Sequence, residues 1–129
     1  MASSYSDNLK IELIADGEQA GSWGSTTNTN WEMIEAAVSA KQIVNITTNK
    51  TSGSPQDIAL ANGDKTNTGG RAFIELTDNG DKGATQHFRL TPEGAERIIY
   101  VKNSLTTQAA KIFQTTAFDD SKDVQIENG

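Results

Sequence analysis

The sequence predicts a mainly β fold, either an antiparallel β-sandwich or an interleaved trimeric β module, with one short amino-terminal helix. Short β-prone runs recur about every ten to fifteen residues beyond residue 41. Clusters of Gly, Asn, Asp, Ser and Pro separate these runs, whereas the helical period of about 3.6 residues occurs only near the amino terminus. We therefore divide the chain into a strand-loop-helix segment at residues 1–41 and a β-rich module at residues 42–129.

The first predicted elements are a short strand and an ordered loop. Apolar residues alternate with polar ones in the strand, at Leu9, Ile11 and Leu13. The loop contains glycines, which tolerate positive φ, at Gly17, Gly21 and Gly24. We expect the loop to be ordered because Trp23 within it has a large ring to bury.

A helix is predicted to begin near Thr29. Its apolar residues fall along one helical face, at Trp31, Ile34, Ala37 and Val38. Thr29 and Glu32 have the spacing of a capping box, in which each side chain bonds the other residue's backbone N–H. Trp23 and Trp31 have two interpretations: they pack the loop onto the helix, or they anchor a partner protein.

The β-rich module is predicted to contain a series of short strands. The runs are Ile43–Thr48, Asp57–Ala61, Arg71–Thr77, Gln86–Thr91, Arg97–Lys102, Lys111–Thr115 and Asp123–Glu127. The turns between them are Ser52–Pro55, Asn62–Asp64, Gly69–Gly70, Asp78–Asp81 and Pro92–Gly94. An Asn-Gly-Asp triplet occurs in two of these turns, but no repeat of fixed period connects the runs.

Composition limits what the chain can do. Hydrophobic residues make up 35% of its 129 residues, so we expect a small core and further surface buried against copies of the chain or a neighbouring protein. The formal charge of -6, without a Lys- or Arg-rich run, argues against nucleic-acid binding. The absence of cysteine excludes disulfides and thiolate metal sites. No signal peptide or membrane-spanning apolar run is visible, so we expect a soluble protein without membrane insertion.

The sequence lacks the common catalytic and metal-binding patterns. His87, the only histidine, lies in a strand-like run and is expected to face solvent rather than to act as a base. The Asp78–Asp81 turn lacks the EF-hand spacing, so a turn is preferred over a calcium site. No P-loop, dinucleotide fingerprint or HExxH motif occurs. We therefore predict a non-enzymatic protein with no catalytic residues, no metal and no cofactor.

A distinctive string, GEQAGSWGSTTNTN, runs from Gly17 to Asn30 and is followed by the predicted helix. The segment Leu9–Ala37 resembles the amino-terminal segment of a family of tail fibre and related virion structural proteins in phages of marine cyanobacteria and similar bacteria. The resemblance implies a trimeric component of the tail or its baseplate, attached to the virion by this segment, with distal parts facing host surface glycans or receptors. It also implies a location in the virion tail after assembly in the bacterial host cytoplasm.

The predicted docking site lies in the same segment. Glycines would let the loop follow a partner's backbone, asparagine amides would offer paired donors and acceptors, and Trp23 would supply a large apolar contact. The candidate partner-binding residues are Gly17, Gly21, Trp23, Gly24, Thr27, Asn28, Asn30 and Trp31. Two other functions stay open at this point: a capsid decoration protein, and a small glycan-binding module.

Overall fold

A computed structural model describes residues 2–129, and Met1, the first residue of the predicted 1–41 segment, lies outside them. The elements are β1 (Ser4–Tyr5), β2 (Glu12–Leu13), α1 (Trp23–Ser39), β3 (Lys41–Ile46), β4 (Gln56–Ala59), β5 (Phe73–Asp78), β6 (Gln86–Thr91), β7 (Tyr100–Ser104), β8 (Ala110–Phe113) and β9 (Val124–Ile126). The predicted mainly β fold with an amino-terminal helix is confirmed. Each strand-like run predicted after residue 41 overlaps one of the strands β3 to β9.

The longer strands form two sheets with parallel pairing. β3, β5 and β7 form one sheet in that order, and β4, β6 and β8 form the other, with β9 added antiparallel to β8. The chain alternates between the sheets, so each consecutive pair of strands makes one coil of a short solenoid. Among the named strands, the expected antiparallel pairing occurs only at β1–β2 and β8–β9. The difference arises because each connection crosses to the other sheet, so a strand pairs with the strand one coil away instead of folding back in a hairpin.

The two sheets enclose one apolar core. Successive coils align their side chains, so that Val44 of β3 lies beside Leu76 of β5, and Leu76 lies beside Asn103 of β7. The buried members of the core are Val44, Ile46, Ile58, Ile74, Leu76, Phe88, Leu105, Ala110 and Ile112. Full burial of each large apolar side chain contributes about 1.5–3 kcal/mol, so this stack is the main source of stability.

Buried amides connect the coils at the end of the first sheet. Gln86 is fully buried; its Oε1 accepts from the Lys50 N–H at 2.8 Å, and its Nε2 donates to Asn49 Oδ1 at 2.8 Å. Asn103 Nδ2 donates to the Ile126 carbonyl at 2.9 Å. Because a buried polar group without a partner costs about 1–3 kcal/mol, these bonds fix the turn of one coil against the next.

The outer edge of β4 is closed by the connection that leads to β5. The Ala59 N–H donates to Thr68 Oγ1 at 3.0 Å, and the Ala59 carbonyl accepts from the Gly69 N–H at 2.7 Å. An open strand edge is a template for unwanted pairing with another chain, and this loop covers it. The first sheet has β3 and β7 as its edge strands.

The helix begins earlier than the sequence predicts, at Trp23 rather than near Thr29. Thr29 lies inside the helix, and Ser22 occupies the N-cap position without a side-chain cap bond. Glu32 forms an ion pair with Lys65 at 2.7 Å. The predicted capping box is therefore wrong. Within residues 2–129, α1 lacks the length and the apolar content needed to cross a membrane.

Candidate functional site

The amino-terminal hairpin holds the first half of α1. Asn30 Oδ1 accepts from the Glu12 N–H at 2.9 Å, and Asn30 Nδ2 donates to the Glu12 carbonyl at 2.7 Å. Gln19 adds two bonds, since its Nε2 donates to the Glu12 carboxylate and its Oε1 accepts from the Thr26 hydroxyl. The first turns are rich in Gly, Ser, Thr and Asn, which have low helix propensity. The contacts with the hairpin explain why the chain is nevertheless helical from Trp23.

The inner face of α1 rests on the solenoid. Met33 and Ala36 are its buried residues. The Ala36 carbonyl accepts from the Ala72 N–H at 3.1 Å, and the Ala40 carbonyl accepts from the Phe73 N–H at 3.1 Å. These backbone bonds join the end of the helix to the start of β5 and fix its position relative to the first sheet.

The outer face of α1 carries an apolar stripe. Its members, which we call the tryptophan stripe, are Trp23, Trp31, Ile34 and Val38. Their spacing places all four within about 80° of arc on a helix of about 3.6 residues per turn. Trp23 is 61% exposed, Trp31 is 64% exposed and Val38 is 75% exposed. The predicted helical face thus exists, with Trp31 and Val38 exposed and Ile34 and Ala37 half-buried, while Met33 and Ala36 pack inward.

The glycine-rich loop is shorter than predicted. Gly17 and Gly21 have positive φ, of 77° and 87°, in the exposed turn that leads into α1. Gly24 and Trp23 lie within the helix. The expectation of an ordered loop that buries Trp23 is therefore wrong, because the hairpin contacts extend the helix through this stretch and leave the ring exposed.

The other predicted docking residues point in different directions. Thr27 lies between Trp23 and Trp31 on the stripe side of α1 and is half-buried. Asn28 is exposed on the polar side of the helix. Asn30 is turned inward, and the backbone of β2 occupies both of its amide groups. The structure thus groups the two tryptophans and Thr27 on one surface, leaves Asn28 on another side of the helix, and places Asn30 at the border of the stripe with its amide bound to β2.

Sequence reasoning missed the surface that continues the stripe. Ile98, in the connection between β6 and β7, is 84% exposed and lines a groove of about 260 Å³ together with Val38. Tyr100, the first residue of β7, is also exposed. A readable signal was present, because the predicted strand Arg97–Lys102 contains four consecutive apolar residues, and alternate residues of a strand face opposite sides.

The tryptophan stripe and the groove meet at Val38 and form one candidate surface. No family model, curated protein or solved structure matches this chain. Function is therefore inferred from the chemistry of the surface. Exposed aromatic and branched apolar side chains on a fixed helix are typical of a protein-binding face.

Turn carboxylates are engaged in structural hydrogen bonds. Asp78 accepts from the Thr106 hydroxyl at 2.6 Å, and Asp81 accepts from the Gln108 amide at 2.7 Å. The N–H of Gly83 and the Gln108 amide hold the pKa of Asp81 below its ordinary value. Across residues 2–129, no three His, Asp or Glu side chains are grouped in a way that could hold a metal ion.

His87 is half-buried, in contrast to the predicted solvent-facing position. The Phe118 ring packs edge-on against it, with ring centroids 4.8 Å apart, and also contacts Phe113 at 5.2 Å. His87 Nδ1 lies 3.3 Å from the Lys50 carbonyl. The segment after β8 folds over the outer face of the second sheet, which the strand pattern alone did not indicate.

Proposed function

We propose that this chain is a non-enzymatic structural protein of a phage virion, a tail fibre or baseplate component that docks to the tail through its amino-terminal segment. The observation that supports docking is the tryptophan stripe on α1. The resemblance of the Gly17–Asn30 string supports the tail as the place. The protein would then be located in the virion tail. It would form a homotrimer and contact neighbouring tail or baseplate proteins, and the whole assembly would attach to the host.

The stripe has the properties of a helix that lies in a partner's groove. Anchors on such helices recur three and four residues apart, and the stripe follows that spacing from Trp31 through Ile34 to Val38. Trp23 and Trp31 are two turns apart, which separates them by about 12 Å along the axis at about 1.5 Å per residue. Trp is enriched among residues whose truncation costs about 2 kcal/mol or more of binding free energy.

The rest of the chain holds this helix in place. The hairpin bonds its first half through Asn30, and the chain at the start of β5 bonds its carboxyl end through Ala36. Affinity is then not reduced by the entropic cost of ordering the helix on binding. The stacked parallel coils serve as a rigid spacer between the docking face and distal parts of the assembly.

This proposal moves the docking element from a loop to a helix face. Trp23, Trp31 and Thr27 remain in it, and Ile34 and Val38 join them. Asn30 acts instead as a support for the helix, and Gly17 and Gly21 shape the turn that leads into it.

Docking is tested with Trp23→Ala and Trp31→Ala in the full chain. Both side chains are largely exposed, so the free energy of unfolding of each variant should lie within about 0.5 kcal/mol of the wild-type value. Incorporation into particles should be lost. Val124→Ala removes an exposed apolar side chain from β9 and should leave incorporation unchanged. Wild-type incorporation of both Trp variants would refute the docking face.

The tail position is tested by locating labelled protein on intact particles. Label at the tail or baseplate supports the assignment, whereas label on capsid faces would replace it with capsid decoration. Acrylamide quenching gives a further readout, because the chain has only two tryptophans and both lie on the stripe. Fluorescence should be quenched in the isolated protein and protected in the assembled particle. Protection already present in the isolated protein would show that the stripe joins copies of this chain instead.

A further inference from the structure

A groove adjoins the end of the tryptophan stripe, between α1 and the connection from β6 to β7. Its volume is about 260 Å³. The apolar residues that line it are Leu9, Ala37, Val38, Leu60, Ile98 and Ile99. A cavity of about 150 Å³ suffices for benzene in a dry apolar site, so this groove has room for a large side chain with polar atoms beside it.

Two arginines also line the groove, and among the described residues neither forms an ion pair, although Asp64 is close enough to Arg71 for their charges to interact. Arg97 Nε and Nη1 are buried without a hydrogen-bond partner, and its Nη2 donates to the Thr91 carbonyl at the long distance of 3.4 Å. Burial lowers the pKa of Arg97. Arg71 Nη2 donates to the Lys65 carbonyl at 2.8 Å. Within residues 2–129, no carboxylate lies at ion-pair distance from either guanidinium.

Arg89, in contrast, has an acidic partner. Arg89 pairs with Asp57 through two bonds of 2.7 and 2.9 Å on the outer face of the second sheet. The chain has seventeen acidic residues and a net charge of -6, so carboxylates are plentiful. A buried guanidinium with unmade hydrogen bonds destabilises the isolated protein, and such a group is expected where a binding partner completes it.

We propose that this groove binds a segment of a partner protein in which a branched apolar or aromatic side chain stands next to a carboxylate. The side chain enters between Val38, Leu60 and Ile98, and the carboxylate pairs with the guanidinium of Arg97, with Arg71 at the rim. A carboxylate accepts a charge-assisted hydrogen bond from a guanidinium, and such a bond is stronger than the one that a neutral amide accepts. The inference rests on the proposed function, because the partner that covers the tryptophan stripe would also reach Val38.

The chemistry is tested on the isolated full chain with two small probes. N-acetyl-leucine carries the apolar side chain and the carboxylate, whereas N-acetyl-leucinamide has the same side chain and no charge. In titrations followed by ¹⁵N NMR, both should shift the backbone signals of Val38, Ile98 and Ile99. The acid should bind about tenfold more tightly, the effect of one charge-assisted hydrogen bond. Equal affinities, or shifts confined to other regions, would overturn the proposal.

Arg97→Met separates a binding role from a structural one. Methionine keeps an unbranched apolar stem and removes the buried nitrogens, so the preference for the acid should disappear while amide binding persists. The urea midpoint should be equal to or higher than that of the wild type. Arg89→Met is the matched control and should leave both affinities unchanged. A lower urea midpoint for Arg97→Met, with the acid preference intact, would assign this arginine a structural role and refute the inference.

The two proposals fail separately. The probe titrations need no particle, so a negative result alongside lost incorporation of Trp31→Ala would remove the groove and keep the docking face. Acid-selective binding alongside wild-type incorporation of Trp31→Ala would keep the groove and remove the docking face.

Discussion

Asn30 on the helix binds the backbone of Glu12 on β2 through both of its amide groups, with bonds of 2.9 and 2.7 Å. β2 pairs with β1 on its other side. The asparagine therefore takes the place of a neighbouring strand, since it supplies one acceptor and one donor to a single residue. This relationship couples the amino-terminal hairpin to the helix that carries the tryptophan stripe.

Asn30→Ala should loosen the hairpin from α1. Loss of two half-buried bonds is expected to cost about 1–3 kcal/mol, so hydrogen exchange at the Glu12 amide should accelerate about fivefold or more. Asn28→Ala, an exposed site two residues away on the same helix, is the control and should leave this exchange rate unchanged. Equal exchange in the two variants would show that the hairpin is held by other contacts.

The strand positions could be predicted from the sequence, but their pairing could not. Alternation in β5 and the turn residues on either side are the same for a parallel solenoid and an antiparallel sheet. β3, β5 and β7 begin at residues 41, 73 and 100, so successive coils shorten from 32 to 27 residues. Unequal coils hide the repeat that would have indicated a solenoid.

Only some of the docking residues could be predicted from the sequence. The stretch from Trp23 to Asn30 has the composition of a loop, and its helical state depends on side-chain bonds that join Gln19 to Thr26 and Asn30 to Glu12. Intrinsic propensity contains no information about such bonds. The stripe itself was visible as the spacing of Trp31, Ile34 and Val38, although the sequence did not show which helical face is buried.

Gly69 marks the contact that closes the edge of β4. A Cβ atom at this position would lie 2.9 Å from the Ala59 oxygen and 3.0 Å from the Ile58 oxygen. Both neighbours are backbone atoms that move only with the strand. Gly69→Ala should therefore push the loop away and destabilise the protein by about 1–3 kcal/mol, measured as a lower urea midpoint.

Gly53→Ala provides the control, because a Cβ there would meet nothing within 4 Å. The free energy of unfolding of that variant should equal the wild-type value or exceed it by less than about 1 kcal/mol. The opened edge of β4 should also increase the mass measured by light scattering for Gly69→Ala. Unfolding free energies of the two glycine variants within about 0.5 kcal/mol of each other would contradict the contact.

Glu75 lies at the centre of the exposed face of the first sheet. Its carboxylate pairs with Lys41, accepts from the Ser104 hydroxyl at 2.8 Å and lies 3.4 Å from Lys102 Nζ. The bonds from Lys41 and Ser104, together with the charges of Lys41 and Lys102, lower its pKa from 4.5 to about 2. The Glu75 carboxylate on β5 thus contacts side chains of both neighbouring strands, β3 and β7.

A carboxylate with a lowered pKa in the folded state stabilises the protein above its unfolded pKa and loses that effect as pH falls through the folded value. The stability advantage of the wild type over Glu75→Gln should thus be complete at about pH 7, decline below about pH 4.5 and be absent below about pH 2. Urea unfolding of both proteins across this range measures it. Glu35→Gln removes the same charge from the exposed side of α1 and reports the effect of net charge alone. An advantage that stays constant between about pH 5 and pH 2 would show that Glu75 does not act through its ionised form.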